Sequence, residues 1–215
     1  MTDNNDLIEE RRDYTSNELH RRFLKDDPLV QFTHWLEEAR AAKLIDATAM
    51  HLSTVDAENR PHSRIVLLKG FDENGFIFYS NYDSDKGRHL QSNPNACLLF
   101  YWKELERQVR IEGNVKHHAS SDADTYFHSR PTGSRFSAAA SNQSRPVANR
   151  AVLEKSVEAL HTQYPAGDVP RPDHWGGFLL QANYFEFWQG RADRLHDRFS
   201  YTLSKSNWAI DRLAP

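Results

Sequence analysis

Hydrophobic positions in residues 1–25 follow no period and the stretch is dense in charge, so it reads as a mobile arm ahead of the folded chain. Periodicity begins at Asp27. That residue is placed to cap a helix, Pro28 suits its first turn, and Leu29, Phe32, Leu36 and Ala39 fall on one stripe. From Ala49 to Leu68 the repeat shortens to that of strands, broken at Asp56-Ala57-Glu58-Asn59. Asp72-Glu73-Asn74-Gly75 supplies a turn, and Phe76 to Ser80 reads as the returning strand. A short helix is expected from Ser84 to about Asn93, stopped by Pro94, and then strands at Ala96–Trp102 and Gln108–Lys116.

Residues 121–163 change character. Ala, Ser and Glu dominate, and Leu153, Val157 and Leu160 recur at helical spacing. Pro165, Pro170 and Pro172 punctuate a return to strands, expected at Gly177–Leu180, Tyr184–Gln189, Arg194–Leu203 and Trp208–Arg212. Strands, a helical insertion and strands again give an α+β, mainly β, arrangement around an antiparallel sheet. The alternation is irregular, as in a sheet curling into a barrel, and several connections are too short for parallel crossovers. Residues 26–215 read as a single domain, without internal repeats.

Composition narrows the function classes. A formal net charge of −3 argues against a general nucleic-acid binder. Cys97 is the lone cysteine, which excludes an internal disulfide and a cysteine-built metal site and fits a reducing compartment. Met1 to Glu10 has no apolar core of a signal peptide, and the run Ala96–Trp102 is far too short to span a bilayer. The expectation is a soluble, cytoplasmic protein. Twelve Phe, eight Tyr and five Trp supply rings for a barrel interior and for pockets that take flat ligands.

Three stretches carry candidate chemistry. In Arg194-Leu195-His196-Asp197-Arg198-Phe199, a strand would point Arg194, His196 and Arg198 to one face. That face is either solvated or, with Trp188 beside it, suited to a planar anionic ligand. In Arg64-Ile65-Val66-Leu67-Leu68-Lys69, each charge ends an apolar row, where it snorkels or reaches a ligand. In Tyr126-Phe127-His128-Ser129-Arg130-Pro131, one helical turn brings the Tyr126 phenol and the Arg130 guanidinium together, with Ser134 following. These groups bind phosphate, or else form a surface cluster at a helix end. His117 and His118 would face opposite ways on a strand, so no metal site is expected. No G-x-S-x-G elbow, P-loop or G-x-G-x-x-G is present.

Taken together these pieces resemble the pyridoxamine 5'-phosphate oxidase family. The resemblance runs through RIVLLK (64–69), LERQV (105–109), YFHSRP (126–131), Gln143-Ser144, WGGF (175–178), FWQG (187–190), RLHDRF (194–199) and IDRLAP (210–215). Eight pieces in the family's order cover roughly residues 26–215. The resemblance implies a homodimer of split β-barrel subunits that binds FMN and oxidises pyridoxamine or pyridoxine 5'-phosphate with O2. It implies flavin contacts from Arg64, Ile65, Val66, Leu67, Leu68, Lys69, Tyr79, Ser80, Lys86, Gln108, Gln143, Ser144, Trp188 and Arg198. Lys69, Tyr126, Arg130 and Ser134 would hold the substrate phosphate, while Arg194 and His196, with Leu195 between them, would hold its ring over the flavin. Arg11 and Tyr14 match an arm segment that closes over the substrate, and Asp46 matches an acidic residue near the site. One departure stands out: where the family commonly has Arg just before the lysine matching Lys86, this chain has Asp85. Another split-barrel flavin reductase would lack the substrate set, and a non-catalytic carrier of FMN or pyridoxal phosphate would keep every binding residue.

Overall fold

The computed structural model describes residues 12–15 and 17–215. Nine strands belong to one hydrogen-bonded sheet in the order β2-β1-β5-β6-β7-β4-β3, with β8 on β7 and β9 on β8. They are β1 Ala49–Val55, β2 Pro61–Leu67, β3 Gly70–Asp72, β4 Gly75–Asn81, β5 Asn95–Trp102, β6 Arg107–His117, β7 Trp175–Gln189, β8 Asp197–Ser204 and β9 Asn207–Leu213. The helices are α1 Pro28–Ala41, α2 Asp85–Ser92, α3 Ser120–Ser129, α4 Thr132–Ala140 and α5 Arg150–Gln163. The chain divides into two compact units, one ending its first segment at Thr48 and adding Leu99–Ile111 and Asn183–Pro215, the other Ala49–Leu98 and Glu112–Ala182.

In the first unit, α1 starts as the sequence predicts. The Asp27 carboxylate accepts the Leu29 N–H at 2.8 Å, and Pro28 occupies the first turn. The stripe buries Phe32, Trp35, Leu36 and Ala39. Phe32 meets Phe100 at a ring separation of 5.0 Å, and Trp35 meets Phe187 edge-on at 5.2 Å. Leu19 and Leu24, both preceding α1, are buried too. The Leu19 N–H donates to Asp197 at 3.0 Å, and the Tyr201 hydroxyl donates to the Lys25 carbonyl at 2.7 Å.

The second unit is organised by two antiparallel hairpins. β1 and β2 pair from Ala49↔Leu67 to Val55↔Pro61, around the expected break at residues 56–59. β3 and β4 pair around Gly75, whose φ of 141° needs glycine. β4 then pairs with the start of β7, Tyr79 opposite Gly177 and Ser80 opposite Gly176. These two glycines have a steric cause: a Cβ on Gly176 would lie 2.0 Å from the Tyr82 hydroxyl, and one on Gly177 would lie 3.0 Å from the Tyr79 ring. Ser84 caps α2.

Two predicted elements differ. The strands expected at 177–180 and 184–189 are one continuous strand, β7, since residues 181–183 hold no glycine or proline and Asn183 alone does not turn the chain. The strand expected from Arg194 begins only at Asp197; residues 192–194 form a short turn in which Asp193 and Arg194 have φ of 54° and 60°. The proposed Arg194-His196-Arg198 face of a single strand therefore does not exist. The left-handed backbone at Asp193 and Arg194 cannot continue a pleat.

Candidate functional site

The second unit contains a cavity of about 680 Å³ lined by Ile65, Val66, Leu67, Lys69, Tyr79, Ser80, Lys86, Tyr126, Arg130, Ser134 and Gln143 among others. All eleven were singled out from the sequence. Alternation along β2 leaves Ile65 and Leu67 exposed and Arg64 and Val66 half-buried, while Leu68 is buried. Past the strand end, the Lys69 N–H bonds the Ile77 carbonyl at 2.8 Å, so its side chain follows Ile65 and Leu67 toward the cavity.

One wall is aromatic. The Tyr79 ring stacks on Tyr126 at 4.1 Å and on Trp175 at 5.6 Å. The Arg130 guanidinium sits 4.8 Å from the Trp175 ring centre, and the Lys69 ammonium 6.0 Å from that of Tyr126. Arg130 closes the C-terminus of α3 one turn after Tyr126, and its buried Nη1 has no hydrogen-bond partner. A buried guanidinium nitrogen without an acceptor is a group prepared for an anion. Ser134, in the first turn of α4, lines the same cavity.

Lys86 lines the same cavity with a second polar group. Its Nζ donates to Ser84 Oγ and Gln143 Oε1, each at 3.1 Å, and Ser80 Oγ donates to the same Gln143 oxygen at 3.4 Å. Burial, with the Arg64 charge adding, lowers the Lys86 pKa to about 8. Arg64 lies outside the lining, its Nη1 bonded to the Leu52 carbonyl, Thr54 Oγ1 and the His62 carbonyl. Ser144 is exposed, at a φ of 68°, and lies outside the lining as well. Asp85 is paired with Arg88.

Arg130, Lys69 and Lys86 lining one cavity with stacked rings fit phosphate-bearing planar molecules, FMN and a pyridine phosphate included. The sequence reading left Trp175 without a role, although it lies in the quoted WGGF run. An aromatic residue directly before two glycines that admit tyrosine rings was the available signal.

The first unit gathers the other candidates. Trp188 lies opposite Arg198 in the β7–β8 register, and its ring centre is 4.7 Å from that of His196. Tyr14 meets Trp188 and His196 edge-on at 5.6 and 5.5 Å. Gly190 makes room for it, since a Cβ there would lie 2.7 Å from the Tyr14 ring. The Arg191 N–H donates to His196 Nδ1 at 3.1 Å, so the neutral ring carries its proton on Nε2. Burial and the charges of Arg194 and Arg198 lower the His196 pKa. Arg198 Nε bonds buried Glu186 at 2.7 Å, and its Nη1 bonds the Ala214 carbonyl at 2.7 Å. Arg194 and Leu195 are exposed on the preceding turn, and Gln108 is half-buried on β6. Asp46 is exposed at a φ of 54° in the turn before β1. Arg11 lies outside the described residues. Among the described residues no group of His, Cys, Asp and Glu is arranged to hold a metal ion, and no helix is long and apolar enough to cross a membrane.

Comparison with known proteins accounts for this arrangement. A family model described as pyridoxamine 5'-phosphate oxidase matches residues 36–164, and one described as the pyridoxine 5'-phosphate oxidase C-terminal dimerisation region matches residues 175–215. The chain is 51% identical over 215 residues to pyridoxine/pyridoxamine 5'-phosphate oxidase 1, chloroplastic, of Arabidopsis thaliana, covering 98% of this chain and 41% of that longer protein. It is 50% identical to pyridoxine/pyridoxamine 5'-phosphate oxidase 1 of Hydrogenovibrio crunogenus, covering 99% of each. The solved structure of PhzG from Burkholderia lata, in complex with tetrahydrophenazine-1-carboxylic acid, matches with a TM-score of 0.87 at 28% identity, over 93% of this chain and 98% of that one. A pyridoxamine 5'-phosphate oxidase-related, FMN binding protein from Nostoc punctiforme shares the fold, with a TM-score of 0.69 at 20% identity, over 86% and 96%. The split β-barrel class expected from the sequence is the one these structures share. On the family model and on the identity along its whole length, the chain belongs to the pyridoxamine 5'-phosphate oxidase family.

Proposed function

We propose that this protein is a cytoplasmic, homodimeric, FMN-dependent oxidase that converts pyridoxamine 5'-phosphate or pyridoxine 5'-phosphate to pyridoxal 5'-phosphate, with O2 as acceptor and hydrogen peroxide as product. The observation that carries this reading is the cavity where Lys69, Tyr126, Arg130 and Ser134 converge beside a stacked aromatic wall. A flavin reductase has no use for that set. FMN, when bound, supplies the redox chemistry by taking hydride from the substrate's C4' carbon and passing the electrons to O2.

The chain's own residues bind and orient. Lys86, Gln143 and Ser80, with Arg64 behind them, hold the flavin end, and residues 65–69 lie along it. Arg130, Lys69, Tyr126 and Ser134 hold the substrate phosphate, with the Arg130 Nη1 gaining the acceptor it lacks. His196, neutral and bearing its proton on Nε2, donates a hydrogen bond to the ring substituents, and Arg194 on the adjoining turn holds the ring with it. Holding two planar molecules at fixed separation supplies most of the rate advantage. In the homodimer, the Trp188–His196–Arg198 set of one protomer completes the flavin site of its partner, and the arm carrying Tyr14 covers the substrate. The dimerisation region matched at residues 175–215 supports this assembly.

The test is direct. Purified protein incubated with pyridoxamine 5'-phosphate in air should release peroxide and aldehyde in equal amounts. The protein should purify yellow, as a dimer. A colourless monomer that takes up no FMN on titration contradicts the reading; a yellow dimer without turnover makes the protein a carrier.

A further inference from the structure

A polar chain anchored on buried Asp56 and Thr54 runs from the hairpin β1–β2 to α2, and no binding role accounts for Asp56, Thr54, His62 or His89. Asp56 accepts His62 Nε2–H at 2.9 Å. The His62 ring lies 4.6 Å from that of His89 on α2. His89 Nδ1 is 3.0 Å from Thr54 Oγ1, and Arg64 Nη1 donates to that same Thr54 oxygen at 2.7 Å. Thr54 is 1% exposed, so its hydroxyl has no access to water.

The hydrogen-bond inventory fixes the direction of the chain. A hydroxyl has one proton and two lone pairs. Thr54 Oγ1 spends a lone pair on the Arg64 N–H; since a guanidinium cannot accept, His89 Nδ1, bare of a proton, is the acceptor that satisfies the buried Thr54 hydroxyl. Burial, with His62 and Arg64 adding, lowers the His89 pKa and favours that neutral ring. The His62 hydrogen bond, with Arg60 contributing, keeps the Asp56 carboxyl well below the usual carboxylate range. The three hydrogen bonds Arg64 makes to described residues all leave from Nη1. Its Nε and Nη2 form the edge that grips a phosphate bidentately.

We infer that Thr54 and His89 are positioning residues, which hold Arg64 by one nitrogen so that its Nε–Nη2 edge is presented to the phosphate of bound flavin. This rests on the proposed flavin site. It requires that their effect fall on the phosphate of the ligand and not on its ring system, because among the described residues the cation they hold is Arg64.

The ligand pair FMN and riboflavin, which differ only by that phosphate, makes the test. Apoprotein would be titrated with each, following flavin fluorescence, with apoprotein melting measured alongside. Thr54→Val should weaken FMN by about tenfold, the loss of roughly one charge-assisted hydrogen bond's alignment, while riboflavin affinity stays unchanged. Thr54→Ser should restore FMN affinity. His89→Ala should weaken FMN several-fold, and His89→Asn, which keeps an acceptor near the Nδ1 position, should recover it. A Thr54→Val protein that loses FMN and riboflavin equally, or keeps its full preference for FMN, overturns the inference. A wild-type protein that prefers FMN no more than riboflavin overturns the flavin site itself, which separates the two failures.

Discussion

The Lys86 ammonium lies 3.1 Å from the Gln143 side-chain oxygen and 3.1 Å from the Ser84 hydroxyl, with no carboxylate among the described residues hydrogen-bonded to it. It is a buried cation solvated by neutral oxygens, and its pKa falls to about 8. A phosphate dianion binds the protonated form. FMN affinity should therefore be steady near neutral pH and weaken as pH rises through about 8, by up to about tenfold per unit beyond it. Lys86→Arg should remove this dependence, since a guanidinium stays charged. Stability of the apoprotein runs the other way. The unfolded chain keeps the lysine protonated up to its ordinary 10.5, so between about 8 and 10.5 the unfolded state holds the extra proton. The Lys86 contribution to apoprotein stability should then improve as pH rises through that window. Melting curves of wild type and Lys86→Met across that range would read it as a difference that shrinks with pH.

His196 is held neutral by its surroundings, with Nδ1 occupied by the Arg191 N–H. His196→Ala and Arg194→Ala should lower kcat/KM by on the order of 100-fold while leaving FMN content nearly intact. His196→Gln, which keeps a donor at the ring's far end, should retain more activity than the alanine variant. If either alanine variant keeps full kcat/KM with bound flavin, its orienting role is wrong.

How much of this was legible in the sequence differs by element. Asp27-Pro28, the 56–59 break and the Ser84 cap were readable because each is local chemistry acting on its own backbone. The eleven cavity residues were readable because seven lie in quoted motifs that run together in order, and Tyr79, Ser80, Lys86 and Ser134 follow from the resemblance those motifs carry. Arg194 was placed wrongly because alternating charge mimics a strand, while the left-handed backbone at Asp193 and Arg194 carries no glycine or proline to announce it. Thr54 and His89 were missed because neither is implied by the resemblance. Only the pairing of β1 with β2 and the packing of α2 bring them to Arg64.

Arg12 reaches buried Glu106 at 2.7 Å, and Tyr14, two residues on, lies against Trp188 and His196. The pair tethers the segment that carries Tyr14. Arg12 is half-exposed, so the tether is worth little to stability and should be screened by salt. Arg12→Ala should raise KM for the substrate by a few-fold with kcat and FMN affinity little changed, an effect that shrinks as salt rises. Gly190→Ala should do more, because its Cβ would meet the Tyr14 ring at 2.7 Å and displace it. Steady-state kinetics at low and high salt distinguish the two; equal salt dependence in wild type and Arg12→Ala would show that the tether does not act.

Asp85 is a carboxylate that stands where the family commonly has a cation. Left alone, a carboxylate about 6 Å from a bound phosphate would cost on the order of 1 kcal/mol at intermediate screening. It is not left alone: the Arg88 guanidinium, one helical turn on, bonds it, and Arg88 also donates to the Asp83 carbonyl. The pair brings one positive and one negative charge to the first turns of α2, so the net repulsion toward a phosphate is reduced without becoming attraction. Asp85 still acts on the flavin end, because its charge favours the protonated forms of both Arg64 and Lys86. Three affinities follow. Asp85→Arg should tighten FMN by up to about tenfold at low salt, the gain shrinking as salt rises. Arg88→Gln should weaken FMN by a few-fold, since it frees the carboxylate. Asp85→Asn combined with Arg88→Gln should return close to the wild-type value, because the two charges leave together and their coupling is what the cycle measures. Flavin fluorescence quenching on wild type, Asp85→Asn, Arg88→Gln and the double variant gives the coupling directly. If Arg88→Gln leaves FMN affinity unchanged while Asp85→Arg tightens it, the Arg88–Asp85 pair does not screen the phosphate, and the departure at Asp85 is felt in full.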